Sequence, residues 1–322
     1  EATNPILQIY YSNVKVKEET TLGDFRDLVV RRLMTSMLSQ RLQELTQKPN
    51  PPFIFGGSSL GGFVRGYEGY SSFALLSNGG PEPAITAIIQ ENERARKFGF
   101  TEPEIDRTKK MMIKSVERAY NERDKTESAA LVEEYIRHYL EKEPIPGIEN
   151  EFKYYQTFLD QIKLNEVNQL ASRIIPQAGA NKLVVYTGPE KTDFPTPTNQ
   201  GLVAMVENAA KAEIKPFEEK AIASTLMEKI PAPAKIIAEK TNKELGLTEL
   251  GFANGVRVIL KPTDFKNDQV VMSSSRFGGQ YLFDPQDRYS AEYASAVVSQ
   301  MGAGEFCPVD LRKVLAGKTA SE

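Results

Sequence analysis

Hydrophobic and polar residues follow two different periods along the first 188 residues. Apolar residues at every second position predict strands, and apolar residues three or four apart predict amphipathic helices. The clearest helix begins at Thr21, because Thr21 and Asp24 have the spacing of a capping box, and it ends before Pro49. We predict strands at 6–11, 53–59, 70–76 and 182–187, and further helices at about 83–99, 101–124, 128–140, 148–159 and 164–175. This order predicts an α+β fold, with two-layer domains in which helices pack on one face of a largely antiparallel sheet.

Residues 189–246 differ in composition from the first 188 residues, because prolines interrupt charged, Ala-rich stretches. We predict one helix here, at about 200–211, within a long connector. Connectors of this length are unusual inside one domain, so a domain boundary is expected. The sequence therefore predicts a domain at 1–188, a linker at 189–246 and a truncated domain at 247–322.

The truncated domain opens with a strong hairpin signal, because Asn254-Gly255 separates apolar runs at 247–253 and 256–261. We predict a third strand at 269–274 and helices at 289–300 and 309–316. This element order looks unfinished for a two-layer domain. Because the chain also starts without an initiator Met, we interpret it as a piece of a longer polypeptide.

The single histidine, His138, and the single cysteine, Cys307, limit the chemistry of the chain. A hydrolytic zinc site needs about three protein ligands, and a Ser or Cys nucleophile of the usual kind needs a histidine base. We therefore expect no catalytic, metal-binding or cofactor-binding residue. The net charge of -3 argues against a dedicated nucleic-acid binder, and no apolar run approaches the roughly 18 residues of a membrane span.

Two short patterns each have a functional and a structural explanation. Glu134 and His138 lie one helical turn apart, but two ligands make a poor metal site, so a structural histidine is expected. The Gly-rich stretch 56–62 lacks the Lys-Ser/Thr of a phosphate loop. Glycines for bulges or close backbone approach explain it better.

Arg65, Tyr67 and Arg276 are the candidates for contact with a peptide. The backbone of an edge strand suits an extended chain, and an arginine suits a carboxylate. Turn formation is the more ordinary explanation for both segments. The charged stretch 106–125 predicts a solvated helix face, with contact to another domain of the parent protein as the alternative.

Several segments together resemble a known family. The stretches GFTEPEIDRTK (99–109), ERAYNERDKTES (117–128) and EEYIRHYL (133–140) look like the second, non-catalytic domain of pitrilysin/insulinase-type zinc metallopeptidases. MLSQRLQEL (37–45) followed by PPF (51–53) fits the entry of that domain. Segments 250–262, 277–279 and 310–318 are similar to the start of the third domain in long single-chain members.

The resemblance implies a zinc-dependent endopeptidase as the parent, with its zinc in an absent first domain that carries a His-x-x-Glu-His motif. The helix at 289–298 corresponds to the position of that motif and has one Glu and no His, so no catalytic or metal residue is carried over. By analogy, the parent would enclose peptides between two half-shells joined by a linker. The implied partners are the remaining domains of the parent and a peptide substrate.

Two other functions remain open at this stage. The chain could belong to a structural or regulatory non-peptidase homologue, such as a core subunit of a processing complex; the presence or absence of His-x-x-Glu-His upstream would decide. It could also be an unrelated α+β binding module, which a large apolar pocket within one domain would favour. We further expect the truncated domain to pack on the first domain, to self-associate or to exchange strands with a neighbour. The expected location is bacterial and extracytoplasmic (periplasmic).

Overall fold

The computed structural model describes residues 4–77, 79–189, 196–219, 222, 225–227 and 229–318. A four-stranded antiparallel sheet lies in the first part, with strands in the order β2-β3-β1-β4. All four predicted strands are confirmed, and the first three are longer than predicted. Their bounds are β1 (Ile6–Lys15), β2 (Phe55–Val64), β3 (Tyr67–Leu75) and β4 (Lys182–Thr187).

The β2–β3 hairpin is tight, because only Arg65 and Gly66 separate its strands, and Gly66 has a φ of 82°. β1 contains one irregularity, a register shift between Tyr10 and Asn13 where it pairs with β3. Such a bulge inserts one extra residue and reverses the face on which the following side chains lie. Ile9, before the shift, is buried, whereas Lys15, beyond it, is exposed and lies opposite Tyr67.

The helices that were predicted in the first 219 residues are confirmed, with small differences at their ends. α1 and α3 begin with complete capping boxes, Thr21 with Asp24 and Thr101 with Glu104. Hydrogen bonds from Lys17 and Thr21 hold the pKa of the Asp24 carboxyl well below its usual range. The helices are α1 (Leu22–Leu45), α2 (Pro81–Phe98), α3 (Glu102–Asn121), α4 (Ser128–Glu141), α5 (Ile148–Gln161), α6 (Leu164–Ile174) and α7 (Asn199–Lys211).

The hydrophobic core lies between the helices and one face of the sheet, which confirms the predicted α+β layer architecture. Helices α1 and α2 pack on the sheet, and α6 packs on both of them. Alternate side chains of β1 and β3 point into this core, as the two-residue period of a strand requires. The fully buried members include Leu7, Ile9, Val29, Leu33, Met37, Leu38, Phe53, Ala74, Ile85 and Ile88.

A buried arginine joins α1 to the junction between α2 and α3. Arg41 is 2% exposed, and its Nε and Nη2 atoms donate to the two carboxylate oxygens of Glu104 at 2.6 and 2.8 Å. Nη2 also donates to the carbonyl oxygen of Gly99 at 3.0 Å, and Nη1 lies 3.4 Å from Glu91. The guanidinium therefore has partners for its charge although it is removed from water, which is the condition for tolerating a buried ion.

The first part of the predicted linker packs on the predicted first domain. α7 lies against α2 and contributes Leu202, Val206 and Ala209 to the core. Beyond it, the ring of Phe217 lies 4.2 Å from the guanidinium carbon of Arg41. Residues 199–219 are therefore attached to the body of the first domain by apolar and cation–π contacts.

Charged residues of the first domain also contact the last part of the chain. Glu219 Oε1 lies 2.5 Å from Arg107 Nη2 and 3.6 Å from Lys313 Nζ, and Lys313 also pairs with Glu44 at 2.8 Å. At the other end of α3, the side chain of Asn267 donates to Asp124 at 2.7 Å. The charged stretch 106–125, which includes Arg107, is thus partly a contact surface rather than a purely solvated face.

A second antiparallel sheet, in the order β5-β6-β7, forms the last part. The Asn254-Gly255 hairpin is confirmed, with a φ of 85° at Gly255, and so are the last two helices. Strand β5 was not predicted, because Pro231 and Pro233 and the charges around them were interpreted as linker; it pairs along β6. The bounds are β5 (Ile236–Asn242), β6 (Leu247–Phe252), β7 (Arg257–Leu260), α8 (Arg288–Ser299) and α9 (Pro308–Val314).

The predicted strand at 269–274 is wrong: these residues form neither strand nor helix. Their side chains are nearly fully exposed, for example Val270 at 95% and Met272 at 88%. A strand needs a neighbour for its N–H and C=O groups, and within the described residues no strand lies beside this segment. Of the described residues 229–318, only Phe306 is buried.

Replacing Arg41 with Ala is expected to destabilise the first domain by about 3–5 kcal/mol, because it leaves Glu104 and Glu91 buried without their cation. Urea unfolding followed by circular dichroism measures the change. Arg31→Ala is the matched control on the same helix, since the Arg31–Glu68 pair is partly exposed and should contribute about 0–1 kcal/mol. Equal losses in the two variants would contradict the role of Arg41.

Candidate peptide-binding edge of the first sheet

Strand β2 is an open edge of the first sheet. β3 lies on one side of it, and among the described residues no strand lies on the other. Its sequence, FGGSSLGGFV, is made largely of small residues and contains neither the charge nor the proline that usually protects an edge. Its regular part, residues 55–62, offers an unpaired backbone about 25 Å long, and a register shift between Gly62 and Val64 interrupts the strand near the turn. Such an edge can accept an added strand by backbone hydrogen bonding.

The core face of this hairpin is fixed by a buried polar network. Ser58 and Ser72 face each other across β2 and β3, with their hydroxyl oxygens 2.7 Å apart. The Asn92 side chain on α2 donates to Ser72 and accepts from Tyr70, both at 3.1 Å. Burial raises the pKa of the Tyr70 hydroxyl, so it remains a donor over the ordinary pH range. The network ties the edge strand, through Ser58 and Ser72, to Asn92 on α2.

The opposite face of the hairpin, here called the open face, is not covered by helices. Phe55 is 53% exposed and Phe73 is 41% exposed, and their ring centroids lie 5.5 Å apart. The Phe73 ring lies over Gly57, because a Cβ atom added to Gly57 would come within 3.2 Å of it. The small residues of β2 thus make room for an aromatic pair beside the edge.

The three residues predicted to contact peptide lie in two places. Arg65 is exposed in the hairpin turn, and Tyr67, 48% exposed, lies next to it opposite Val64. Arg276 lies in the exposed irregular segment that precedes α8, and no described hydrogen bond or ion pair joins it to the hairpin. Arg65 and Tyr67 therefore share a surface with the β2 edge, whereas Arg276 is not placed there.

Sequence reasoning missed Phe55, Phe73, Gly57 and Lys15 as candidates. The alternation of apolar and small residues in Phe73-Ala74-Leu75 was a usable signal, but it marks a strand without indicating which face is open. The Gly-rich stretch 56–62 forms most of β2, which is strand structure and not a phosphate cradle. Gly56 is close to the Phe53 ring, 3.0 Å from an added Cβ atom, so close approach explains it, as predicted.

No metal site is visible in the described part of the chain. No three His, Cys, Asp or Glu side chains there are grouped as ligands of an ion would be. His138 is exposed on α4, and its Nδ1 atom lies 2.7 Å from the carbonyl oxygen of Glu143. Cys307 is exposed and far in sequence from the histidine. In the helix α8, Glu292 has no histidine near it in sequence. These residues do not fit a zinc ion.

A cavity of about 240 Å³ lies between α3 and the segment near Gln269. It is smaller than the roughly 300–1,000 Å³ of typical small-molecule sites. Its lining is mixed and partly charged, and comes from both parts of the chain: Ser115, Arg118, Ala119, Glu122, Lys266 and Gln269. This cavity does not favour an apolar ligand site within one domain.

None of the described helices combines the length and the apolar character of a membrane span.

Comparison with known proteins supplies relatives along almost the whole chain. No protein-family model matches it. A zinc protease PQQL-like protein of Arabidopsis thaliana is 28% identical over 317 residues, which are 98% of this chain and 30% of the relative. The crystal structure of the periplasmic protease PqqL from Escherichia coli aligns with 97% of this chain and 34% of its own, at 17% identity and a TM-score of 0.57. A predicted insulinase family protease from Yersinia pestis aligns with 65% of this chain and 44% of its own, at 14% identity and a TM-score of 0.55.

These relatives confirm the resemblance to pitrilysin/insulinase-type zinc metallopeptidases, and the structures confirm the fold. The chain spans about a third of the length of the relatives that it matches from end to end. It is therefore similar to a fragment of such a protease.

Zinc binding tighter than about micromolar is not expected, because a single exposed imidazole cannot provide the ligand set that gives structural zinc sites their far higher affinity. Isothermal titration of the purified chain with zinc measures this. His138→Ala is the control, and it should leave any weak signal unchanged. Stoichiometric, tight binding that disappears in this variant would restore His138 as a ligand.

Proposed function

We propose that this chain is a non-catalytic part of a pitrilysin-type zinc metallopeptidase, where it forms part of a peptide-enclosing chamber and of the hinge between two halves. The observation that carries the proposal is the open β2 edge, which is long, free of guarding residues and held rigid from behind. Similarity to zinc proteases three times its length supports the setting. In that setting the edge binds substrate in extended form while other domains perform hydrolysis.

Peptide binding at this edge follows from its backbone chemistry. Each N–H and C=O group that points away from β3 can exchange water for a peptide partner, at a net gain of about 1 kcal/mol per hydrogen bond. Because these groups are main-chain atoms, the edge accepts many sequences. Arg65 and Tyr67 lie at the hairpin end of the edge, where a bound peptide would reach them. Arg276 remains a predicted contact without geometric support.

The packing of residues 199–219 supports a role in the hinge. This segment is attached to the first domain through α7, the Arg41–Phe217 contact and the Arg107–Glu219 pair. A linker segment attached in this way moves with the first domain as one body, so we assign the bending part of the hinge to residues after 219. The Lys313–Glu44 pair adds an ionic contact between the two parts.

Catalysis and zinc are assigned to other domains of the parent, because a chain with one histidine and one cysteine lacks the usual zinc ligands and its described residues form no group of metal ligands. The chain alone should therefore hydrolyse no peptide, and its partners are those domains and the substrate. The periplasmic location of the Escherichia coli relative supports an extracytoplasmic location. A His-x-x-Glu-His motif in the domain upstream would support the peptidase; its absence would favour a structural or regulatory homologue.

Pairing at the β2 edge is testable with backbone-modified peptides. The probe is a fluorescent nine-residue peptide of Val, Thr and Tyr, and its two variants carry N-methyl groups on alternate amides, one in each register. Because only one edge of the peptide faces β2, we expect one variant to bind at least about tenfold more weakly, through loss of several hydrogen bonds. Fluorescence anisotropy measures binding. Equal affinity for all three peptides would contradict strand addition.

The position of the bound peptide can be checked by disulfide trapping. In a Cys307→Ser background, Ser59→Cys places a thiol on the β2 edge and Leu183→Cys places one on the opposite edge of the same sheet. A peptide that carries one cysteine should be trapped at residue 59 and not at the exposed control position 183. Trapping at 183 alone would move the site to β4.

Self-association through the last part of the chain is also proposed. Exposed apolar side chains such as Val270, Met272 and Phe277 should bury surface between copies. We expect the sedimentation coefficient to rise with concentration and the rise to weaken in the double variant Val270→Lys/Met272→Lys. Leu183→Lys, which changes an exposed apolar residue of the first sheet, is the control. A monomer at all concentrations would contradict this proposal.

A further inference from the structure

The open face beside the β2 edge has two chemically different ends. At one end lie Phe55 and Phe73, and at the other lie Lys15 and Arg65. About seven residues of β2 separate the two ends, which corresponds to roughly 20 Å of extended chain. A peptide strand added to this edge would therefore meet an apolar surface at one end and positive charge at the other.

The aromatic end, Phe55 and Phe73, can contact one side chain of the peptide and favour an apolar one. In an added strand, alternate side chains lie on the open face, directly beside those of β2. Gly57 has no side chain there, and the ring of Phe73 occupies the space above it, 5.5 Å from the ring of Phe55. A large apolar side chain of the peptide would cover these half-exposed rings, whereas a serine would leave them in water.

The cationic end can attract a carboxylate of the peptide. Lys15 lies opposite Tyr67 on the open face and Arg65 is in the adjoining turn, and all three are exposed. Of the acids near in sequence, Glu68 lies on the other face and pairs with Arg31, and Glu18, three residues beyond Lys15, pairs with Lys142. By strand register, the described open-face positions of the four strands include no Asp or Glu. The positive charge is therefore not neutralised from within the sheet.

We propose that the β2 edge selects extended peptides that carry an aromatic or large aliphatic residue and, six to eight residues away, a carboxylate. The apolar residue packs on Phe55 and Phe73, and the carboxylate pairs with Arg65. Lys15 lies on β1, about 14 Å from an added strand, and contributes positive potential rather than a direct contact. The carboxylate is an acidic side chain or the C-terminus of the peptide. This inference rests on the proposed function, because it assumes strand addition at β2 and adds the side-chain preference.

The aromatic preference is tested with fluorescent nine-residue Val/Thr peptides that differ only in having Phe or Ser near one end, with Glu at the other. Both orders, Phe-to-Glu and Glu-to-Phe, are used, so that either strand direction is covered. The full chain should bind the Phe peptide of one order about threefold to tenfold more tightly than its Ser counterpart. The ratio should fall toward one in Phe55→Ala and Phe73→Ala and persist in Leu183→Ala.

The charge preference is tested by changing Glu to Gln in the same peptides, and by comparing a free with an amidated C-terminus. The carboxylate should improve binding about twofold to fivefold at low salt. The improvement should vanish in Lys15→Gln/Arg65→Gln and remain in Lys153→Gln, which removes an exposed charge from α5. Whichever carboxylate gives the improvement identifies its source.

The possible failures are distinguishable. If peptides bind and N-methylation weakens them, but the Phe/Ser ratio is unchanged in both alanine variants or the Glu/Gln ratio is unchanged in Lys15→Gln/Arg65→Gln, the side-chain preference is overturned and strand addition stands. If no peptide binds at millimolar concentration, or if N-methylation has no effect, strand addition itself is overturned, and this inference fails with it.

Discussion

The structure depends most on the buried charge of Arg41. Its side chain contacts Glu104, Glu91, the Gly99 carbonyl and the ring of Phe217. One guanidinium therefore contacts α1, α2, α3 and the segment after α7. Arginine suits this position, because its planar fork satisfies several acceptors in fixed directions. The interaction gains little net free energy over a well-packed apolar substitute. Its effect is geometric: it fixes how the helical layer lies on the sheet, and hence how firmly β2 is held.

The sheet separates two tasks by the alternation of side chains. One set of positions, such as Ser58 and Ser72, packs toward the helices and makes the strand rigid, while the other set, such as Phe55 and Phe73, remains available to a partner. The small residues serve both sets. They allow the Phe53 ring to approach on one side and the Phe73 ring to cross the strand on the other. The edge is held by hydrogen bonds on its helix-facing side and is uncovered on the other. Such an edge needs little ordering when a peptide binds, which lowers the entropic cost of association.

Much of this architecture could be predicted from periodicity and caps. Thr21 and Thr101 begin their helices where the capping pattern indicates, and Asn254-Gly255 makes the expected turn. The failures arise where a strand depends on its neighbours. The sequence of β5 is charged and flanked by prolines, so it does not indicate a strand, and the segment becomes one through pairing with β6. Residues 269–274 are strand-forming in type, but no strand of the described residues lies beside them. The aromatic pair was missed for a similar reason, since a sequence shows which residues alternate but not which side of a sheet the helices cover.

The register shift between Tyr10 and Asn13 has a consequence for variation in this region. In an unbroken strand, Lys15 would fall on the same side as Tyr11, under the helices, and Val14 would take its place outside. The sign of the potential at that end of the sheet is thus set by a count of residues rather than by their identity. A single-codon deletion at Ser12 would remove the bulge and keep Lys15 opposite Tyr67, whereas a single-codon insertion between Asn13 and Val14 would put Val14 in that position instead. Gaps, more than substitutions, should therefore distinguish homologues with different surface charge at this position.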